Sequence, residues 1–207
     1  MIHRFTNKHP TNFFSPPYRY YIYEEILDIN VDEIKNYILS IEKDIIKNNT
    51  TDGDGRTGLG DDSLTSRHNS FNLFKLNKSL TNQIKKHHNI FLQELSIPNT
   101  YDIYGKCWAN VMKKGEKVNL HRHSVANYNY LSGNICIKTE KTHTYYRNPY
   151  YDEDYKSENI PGKITIFPSW IEHYTDLAVD QRITIAFDLV LDPNGNNFWV
   201  NLNDKNS

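Results

Sequence analysis

Three histidines and one arginine carry the side chains in this sequence best suited to chemistry. His121 and His123 lie in Asn119-Leu120-His121-Arg122-His123, His173 closes Phe167-Pro168-Ser169-Trp170-Ile171-Glu172-His173, and Arg182 follows nine residues later. Val118 and Leu120 alternate with the first two histidines, so in an extended chain both imidazoles project from one face. A His-x-His pair alone is a weak signal; the third histidine gives it meaning. Gly162 to Phe167 reads as a strand that ends in a Pro-Ser-Trp turn and delivers His173 at the start of the next element. Neutral imidazole suits iron, zinc, copper and nickel, and three protein ligands on one side of an ion leave positions open for a substrate and dioxygen.

Arg182 adds an anion site. In Gln181-Arg182-Ile183-Thr184-Ile185-Ala186-Phe187 the apolar residues Ile183, Ile185 and Phe187 form one face, and Arg182, Thr184 and Ala186 the other. An arginine facing a barrel interior needs an anion, because an unpaired buried guanidinium is costly. The bland partner is an internal acid such as Asp188; the functional one is a bound carboxylate, to which Thr184 would add a hydroxyl donor.

The elements that must position these residues follow from periodicity. Tyr18 to Tyr23 is aromatic and β-branched and predicts a strand. Asn30 as N-cap, Glu33 three residues on, and Ile34, Ile38, Ile41 and Ile45 at helical spacing predict a first helix ending near Asn48-Asn49. Leu80, Ile84, Phe91 and Leu95 predict a second helix that stops before Ile97-Pro98. The adjacent pair His87 and His88 within it diverges in direction and reads as polar positions on a solvated helix face, outside the site. From Tyr101 onward the period becomes two: 101–112, 117–123, 127–138, 163–167 and 181–191 read as strands, which together mean a sandwich or barrel. The interval 139–159 lacks clean alternation and reads as a substrate-side loop. The Gly- and Asp-rich stretch 51–62 is expected to be a mobile surface loop at the edge of a lid. It is neither an EF-hand, since Arg56 occupies a ligand position, nor a phosphate-binding loop, since no Gly-Lys-Ser/Thr follows.

At 207 residues the chain is expected to form one domain: a strand and helical support over 18–98, a β core over 101–191 and a polar C-terminal tail over 192–207. A net charge of -1 gives no overall field toward nucleic acid or anionic membrane, and no stretch has the length of a signal peptide or membrane span. Two cysteines, Cys107 and Cys136, without CxxC spacing fit buried thiols in a reducing, cytoplasmic compartment.

The run Trp108-Ala109-Asn110-Val111, Gly115, His121-Arg122-His123, Ser132-Gly133, Pro161-Gly162, Phe167-Pro168-Ser169-Trp170, His173 and Arg182 resembles the iron(II)/2-oxoglutarate-dependent oxygenases of phages, notably cyanophages, and of marine bacteria. The similarity covers roughly residues 20 to 190, and its most specific piece is the Phe-Pro-Ser-Trp, His and Arg-x-Thr block. The resemblance implies a mainly β fold with flanking helices, a double-stranded β-helix (jelly roll, cupin-like) with N-terminal helices packed on it. It implies Fe(II) held by His121, His123 and His173, and 2-oxoglutarate gripped by Arg182 and Thr184, with Asn110 and Asn127 as further hydrogen-bonding candidates. The implied activity is hydroxylation of an unidentified substrate with release of succinate and CO2, with ascorbate as reductant; a phage-encoded protein would act in the host cytoplasm. The sequence departs from the family's wider pattern at one ligand: His-x-Asp/Glu is usual, and His123 stands at the acid position.

Two other functions fit the residues. One is a three-histidine cupin-type dioxygenase that uses no 2-oxoglutarate, in which Arg182 binds the substrate's own carboxylate; the other is a non-catalytic β-sandwich used for binding or virion structure. The prime substrate could be a small molecule, a peptide or a nucleobase. Nothing interleaves basic and stacking residues as nucleic-acid motifs do, and an oligomer is compatible with the sequence.

Overall fold

A computed structural model describes residues 1–7, 10–14, 17–123, 129–149, 153–196 and 198–203. In chain order its elements are β1 (Ile2–Thr6), β2 (Arg19–Ile26), α1 (Val31–Asn48), a 3-10 turn at Thr65–Arg67, α2 (Leu73–Leu76), α3 (Lys78–Glu94), β3 (Tyr104–Met112), β4 (Asn129–Lys138), β5 (His143–Tyr146), β6 (Tyr155–Glu158), β7 (Lys163–Pro168), β8 (His173–Thr175), β9 (Arg182–Val190) and β10 (Val200–Asn201). A seven-stranded sheet runs β1-β2-β7-β4-β9-β3-β10 and a three-stranded sheet runs β6-β5-β8, with every strand pairing antiparallel. This is the expected jelly roll, the double-stranded β-helix, with helices laid on one side.

The middle of the large sheet is buried on both faces, and every residue of β9, which lies there, is buried. Ile183, Ile185, Phe187 and Leu189 of β9 join Ile135 of β4, Ile164 and Ile166 of β7, and Ile34, Ile38, Leu80, Ile84 and Phe91 of the helices in one apolar core. The alternate residues of β9 turn the other way, toward the small sheet. Gly133 sits where β4 crosses this core; a Cβ there would meet the Phe187 ring at 2.2 Å and the Thr165 carbonyl oxygen at 2.6 Å. Asn30 caps α1 by accepting the Glu33 N–H at 3.2 Å, and Ile34 and Ile38 are its buried residues.

Four expectations change. Residues 117–123 form no strand: their pairing reduces to one bridge, His121 to His173. The interval 139–159 is no simple loop, because it contains the β5–β6 hairpin; its buried positions include Thr144, Tyr146 and Ser157, so polar inward residues hide the alternation from a hydrophobicity pattern. His87 and His88 lie on the packed side of α3, not the solvated one: both are buried, His87 bonded to the Tyr23 hydroxyl at 2.8 Å and His88 to the Tyr130 hydroxyl. The polar C-terminal segment supplies β10, and Leu202 is buried with its N–H on the Ile103 carbonyl at 2.9 Å.

The Gly- and Asp-rich loop is pinned by its own chemistry. Asp54 accepts the N–H groups of Arg56 at 3.0 Å, Gly58 at 2.8 Å and Gly60 at 3.3 Å, and the Thr57 carbonyl accepts the Asn119 N–H at 2.7 Å. The loop thus clasps the segment that carries His121. Cys107 and Cys136 are free and buried, as expected. No helix among the described residues is long and apolar enough to cross a membrane.

Candidate metal centre and anion pocket

A cavity of about 190 Å³ lies between the two sheets and under the 54–57 loop, and it is lined by all three histidines, Arg182, Thr184 and Asn110. Their convergence follows from strand alternation. β9 contributes Arg182, Thr184, Ala186 and Asp188 to the cavity, and β3 contributes Lys106, Trp108 and Asn110 opposite them in register. β8 delivers His173 and Thr175, and β5 delivers Thr144. Asn127 lies outside the described residues.

The histidines present one potential ligand atom each, all within 4.8 Å of one another. Each Nδ1 faces an acceptor: the Asn119 carbonyl at 2.8 Å for His121, the Ile171 carbonyl at 3.2 Å for His173, and the Asp188 carboxylate for His123. An acceptor at Nδ1 holds a proton there, and in the neutral ring that leaves the Nε2 lone pair free. Burial also keeps two of the rings neutral. The His121 imidazole is pushed down to about 4 by burial and by the neighbouring His123, and His173 falls well below the usual range through burial and repulsion from His121 and His123. Three imidazoles converging on one centre, each with its Nδ1 occupied, are a donor set for a first-row transition metal.

Arg182 is 3% exposed. Its Nη2 donates to Thr144 Oγ1 at 3.1 Å, while Nε and Nη1 find no hydrogen-bond partner among the described residues. Asp188, the internal acid weighed as its partner, is engaged elsewhere: it takes the His123 ring, the Ser132 hydroxyl at 2.7 Å and, more distantly, the Lys106 ammonium at 3.8 Å. Burial lowers the Arg182 pKa and raises that of the adjacent Cys136 thiol, and among the described residues no carboxylate accepts from its Nε or Nη1. Leaving buried charged donors unmade costs about 1–3 kcal/mol each or more, a cost that a bound carboxylate removes. Thr184 lies in the same wall and accepts from Asn110 Nδ2 at 3.3 Å, while Asn110 Oδ1 accepts the Thr65 hydroxyl at 2.6 Å. Asn110 therefore positions Thr184 as well as lining the cavity.

Sequence reasoning missed Thr144 and the pairing of Asp188 with His123. Asp188 was within reach, because it continues the Arg182, Thr184, Ala186 alternation by one further step. Thr144 left no such signal, being a single threonine in a short polar strand.

No protein-family model matches the sequence, and no curated protein matches it. Solved structures do. A Pseudomonas putida prolyl-4-hydroxylase aligns over 83% of this chain and 92% of its own with a TM-score of 0.54 at 9% identity. The non-heme monooxygenase ThoJ, as its nickel complex, aligns over 82% and 73% with a TM-score of 0.50 at 12% identity. The viral collagen prolyl hydroxylase vCPH from Paramecium bursaria Chlorella virus-1, as a 2-oxoglutarate complex, aligns over 81% and 94% with a TM-score of 0.50 at 11% identity. At such identities the likeness speaks for the fold.

Proposed function

We propose that this chain is an Fe(II)- and 2-oxoglutarate-dependent oxygenase that hydroxylates a substrate with release of succinate and CO2. The observation that carries the reading is the pairing, in one cavity, of three converging imidazoles with a buried arginine whose Nε and Nη1 lack partners among the described residues. The fold likeness to a prolyl-4-hydroxylase, a non-heme monooxygenase and a 2-oxoglutarate-bound viral hydroxylase supports it.

The residues present fit both groups. His121, His123 and His173 would hold the iron through Nε2, and Arg182 with Thr184 would hold the distal carboxylate of 2-oxoglutarate. Bound iron supplies the oxidative chemistry, coupling loss of CO2 from the cosubstrate to hydroxylation of a C–H bond. The chain's contribution is positional. Asn119, Ile171 and Asp188 fix the ring tautomers. Thr144 holds one edge of the Arg182 guanidinium and leaves the other for an incoming carboxylate, which that planar fork can grip through two hydrogen bonds. The 54–57 loop and the Trp108 ring cover part of the cavity and limit water there.

The three-histidine set itself favours a second reading, the cupin-type dioxygenase in which Arg182 binds the substrate's own carboxylate. Incubation with Fe(II), 2-oxoglutarate, oxygen and ascorbate separates the two. Succinate formed in proportion to enzyme and abolished by chelation is the expected result; metal-loaded protein that leaves 2-oxoglutarate unchanged contradicts the leading reading.

A further inference from the structure

The three candidate ligands are not equivalent. His121 and His173 direct Nδ1 at neutral backbone carbonyls, at 2.8 Å and 3.2 Å, whereas His123 directs Nδ1 at a buried carboxylate, Asp188. By the resemblance noted above, His123 also stands at the position of the acid in the two-histidine, one-carboxylate arrangement of non-heme iron sites. The cavity does hold a carboxylate, and it stands directly behind the His123 ring.

We propose that Asp188 is a positioning residue for the metal centre: it locks His123 as the Nδ1–H tautomer with Nε2 toward the metal, and returns through the imidazole the negative charge that a ligating carboxylate would supply directly. The inference rests on the metal reading above but not on 2-oxoglutarate.

The surroundings of Asp188 suit that role. Its Oδ1 receives the His123 ring and the Ser132 hydroxyl at 2.7 Å, and Ser132 in turn stands 2.9 Å from Ser169 Oγ. Its Oδ2 faces the Lys106 ammonium at 3.8 Å, too far for a tight ion pair. Lys106 has other partners, Asn69 Oδ1 at 3.3 Å and the rings of Trp108 and Trp199 at 5.2 and 5.4 Å. Each of these three polar partners is a donor or a cation, which suits a carboxylate acceptor at Asp188. Its shortest contact is the imidazole, and a hydrogen bond from a ligand ring to a carboxylate raises the ring's basicity toward the metal. The alternation of β9 and the pairing of β4 with β9 fix the geometry: Ser132 and Asp188 are register partners across the two strands.

The test uses Co(II) as the probe, loaded into chelator-stripped full-length protein, with affinity read by competition and ligand field by the visible d–d bands. Asp188→Asn keeps shape and an acceptor oxygen but removes the charge; it is expected to weaken Co(II) binding about 10- to 100-fold and to shift the bands. In a His123→Ala background the same substitution should change neither, because the route through the ring is gone. An equal loss in both backgrounds, or none in the first, overturns the inference. Should Asp188→Asn not fold, Ser132→Ala reports instead: a weaker loss in the same direction with shifted bands supports the role, and unchanged Co(II) binding contradicts it. Wild-type protein that takes no Co(II) overturns the metal reading and this inference together, whereas wild-type binding with an indifferent Asp188→Asn overturns this inference alone.

Discussion

His121 and His173 exchange backbone hydrogen bonds, His121 N–H to the His173 carbonyl at 3.1 Å and His173 N–H to the His121 carbonyl at 2.8 Å, and their rings stand 4.3 Å apart. They face each other as a bonded antiparallel pair, a geometry that sets both side chains on one side of the ladder. Two of the candidate ligands are thus held by the main chain, and the third meets a carboxylate.

From that pairing, His121→Ala and His173→Ala should each abolish stoichiometric metal while leaving the bridge intact, since the bridge uses only backbone. Metal content after dialysis checks this. In wild-type protein a metal at one hundred times its Kd should add about 2.7 kcal/mol of stability, seen as a rise in Tm that a chelator reverses and that either variant lacks.

Gly58 holds the loop against the histidine segment. Its φ is +81°, and a Cβ there would meet the Asn119 side chain at 2.1 Å, next to the backbone that binds Thr57 and His121. Gly58→Ala should cost about 1–2 kcal/mol for the left-handed backbone alone. Adding Asn119→Ala should recover only the steric part, which chemical denaturation of the single and double variants will resolve.

These relationships mark how far the sequence could be read. α1, α3, β3, β7 and β9 were legible because their apolar residues recur at periods of helix and strand, and the Arg182 face followed from the same alternation. The three histidines were legible as a set because a strand-turn signature preceded His173. The β5–β6 hairpin was not, because its buried positions include Thr144 and Ser157 as well as Tyr146. Nor was the burial of His87 and His88, whose polarity is satisfied by the Tyr23 and Tyr130 hydroxyls, partners distant in sequence. Satisfaction by a remote residue leaves no local pattern.

Those two histidines set an acid limit on stability. Burial lowers both pKa values in the folded protein, while in the unfolded chain they bind protons below about 6.5. As pH falls through that value the unfolded state takes up more protons, so stability drops; above it, their contribution is flat. Chelator-treated protein should therefore melt at lower temperature at pH 5.5 than at pH 7.5. His88→Gln, which cannot titrate and can still bond Tyr130, should reduce that difference; an undiminished difference would contradict the assignment.

Thr144 is expected to act through Arg182. Thr144→Val keeps its shape but removes the oxygen that accepts from Nη2. That hydrogen bond to a buried cation is worth about 1.5–3 kcal/mol, mostly as stability because it forms without cosubstrate, so its loss should raise the KM for 2-oxoglutarate by no more than about 10-fold, through the misplaced guanidinium, with metal content unchanged.

The most direct test of the account is calorimetric titration of 2-oxoglutarate into Fe(II)-loaded protein without oxygen, wild type beside Arg182→Met. The account predicts one site per chain in the wild type and a loss of about 2–5 kcal/mol, at least about 30-fold in Kd, in the variant. Equal affinity in the two proteins, or no binding to the iron-loaded wild type, would contradict it.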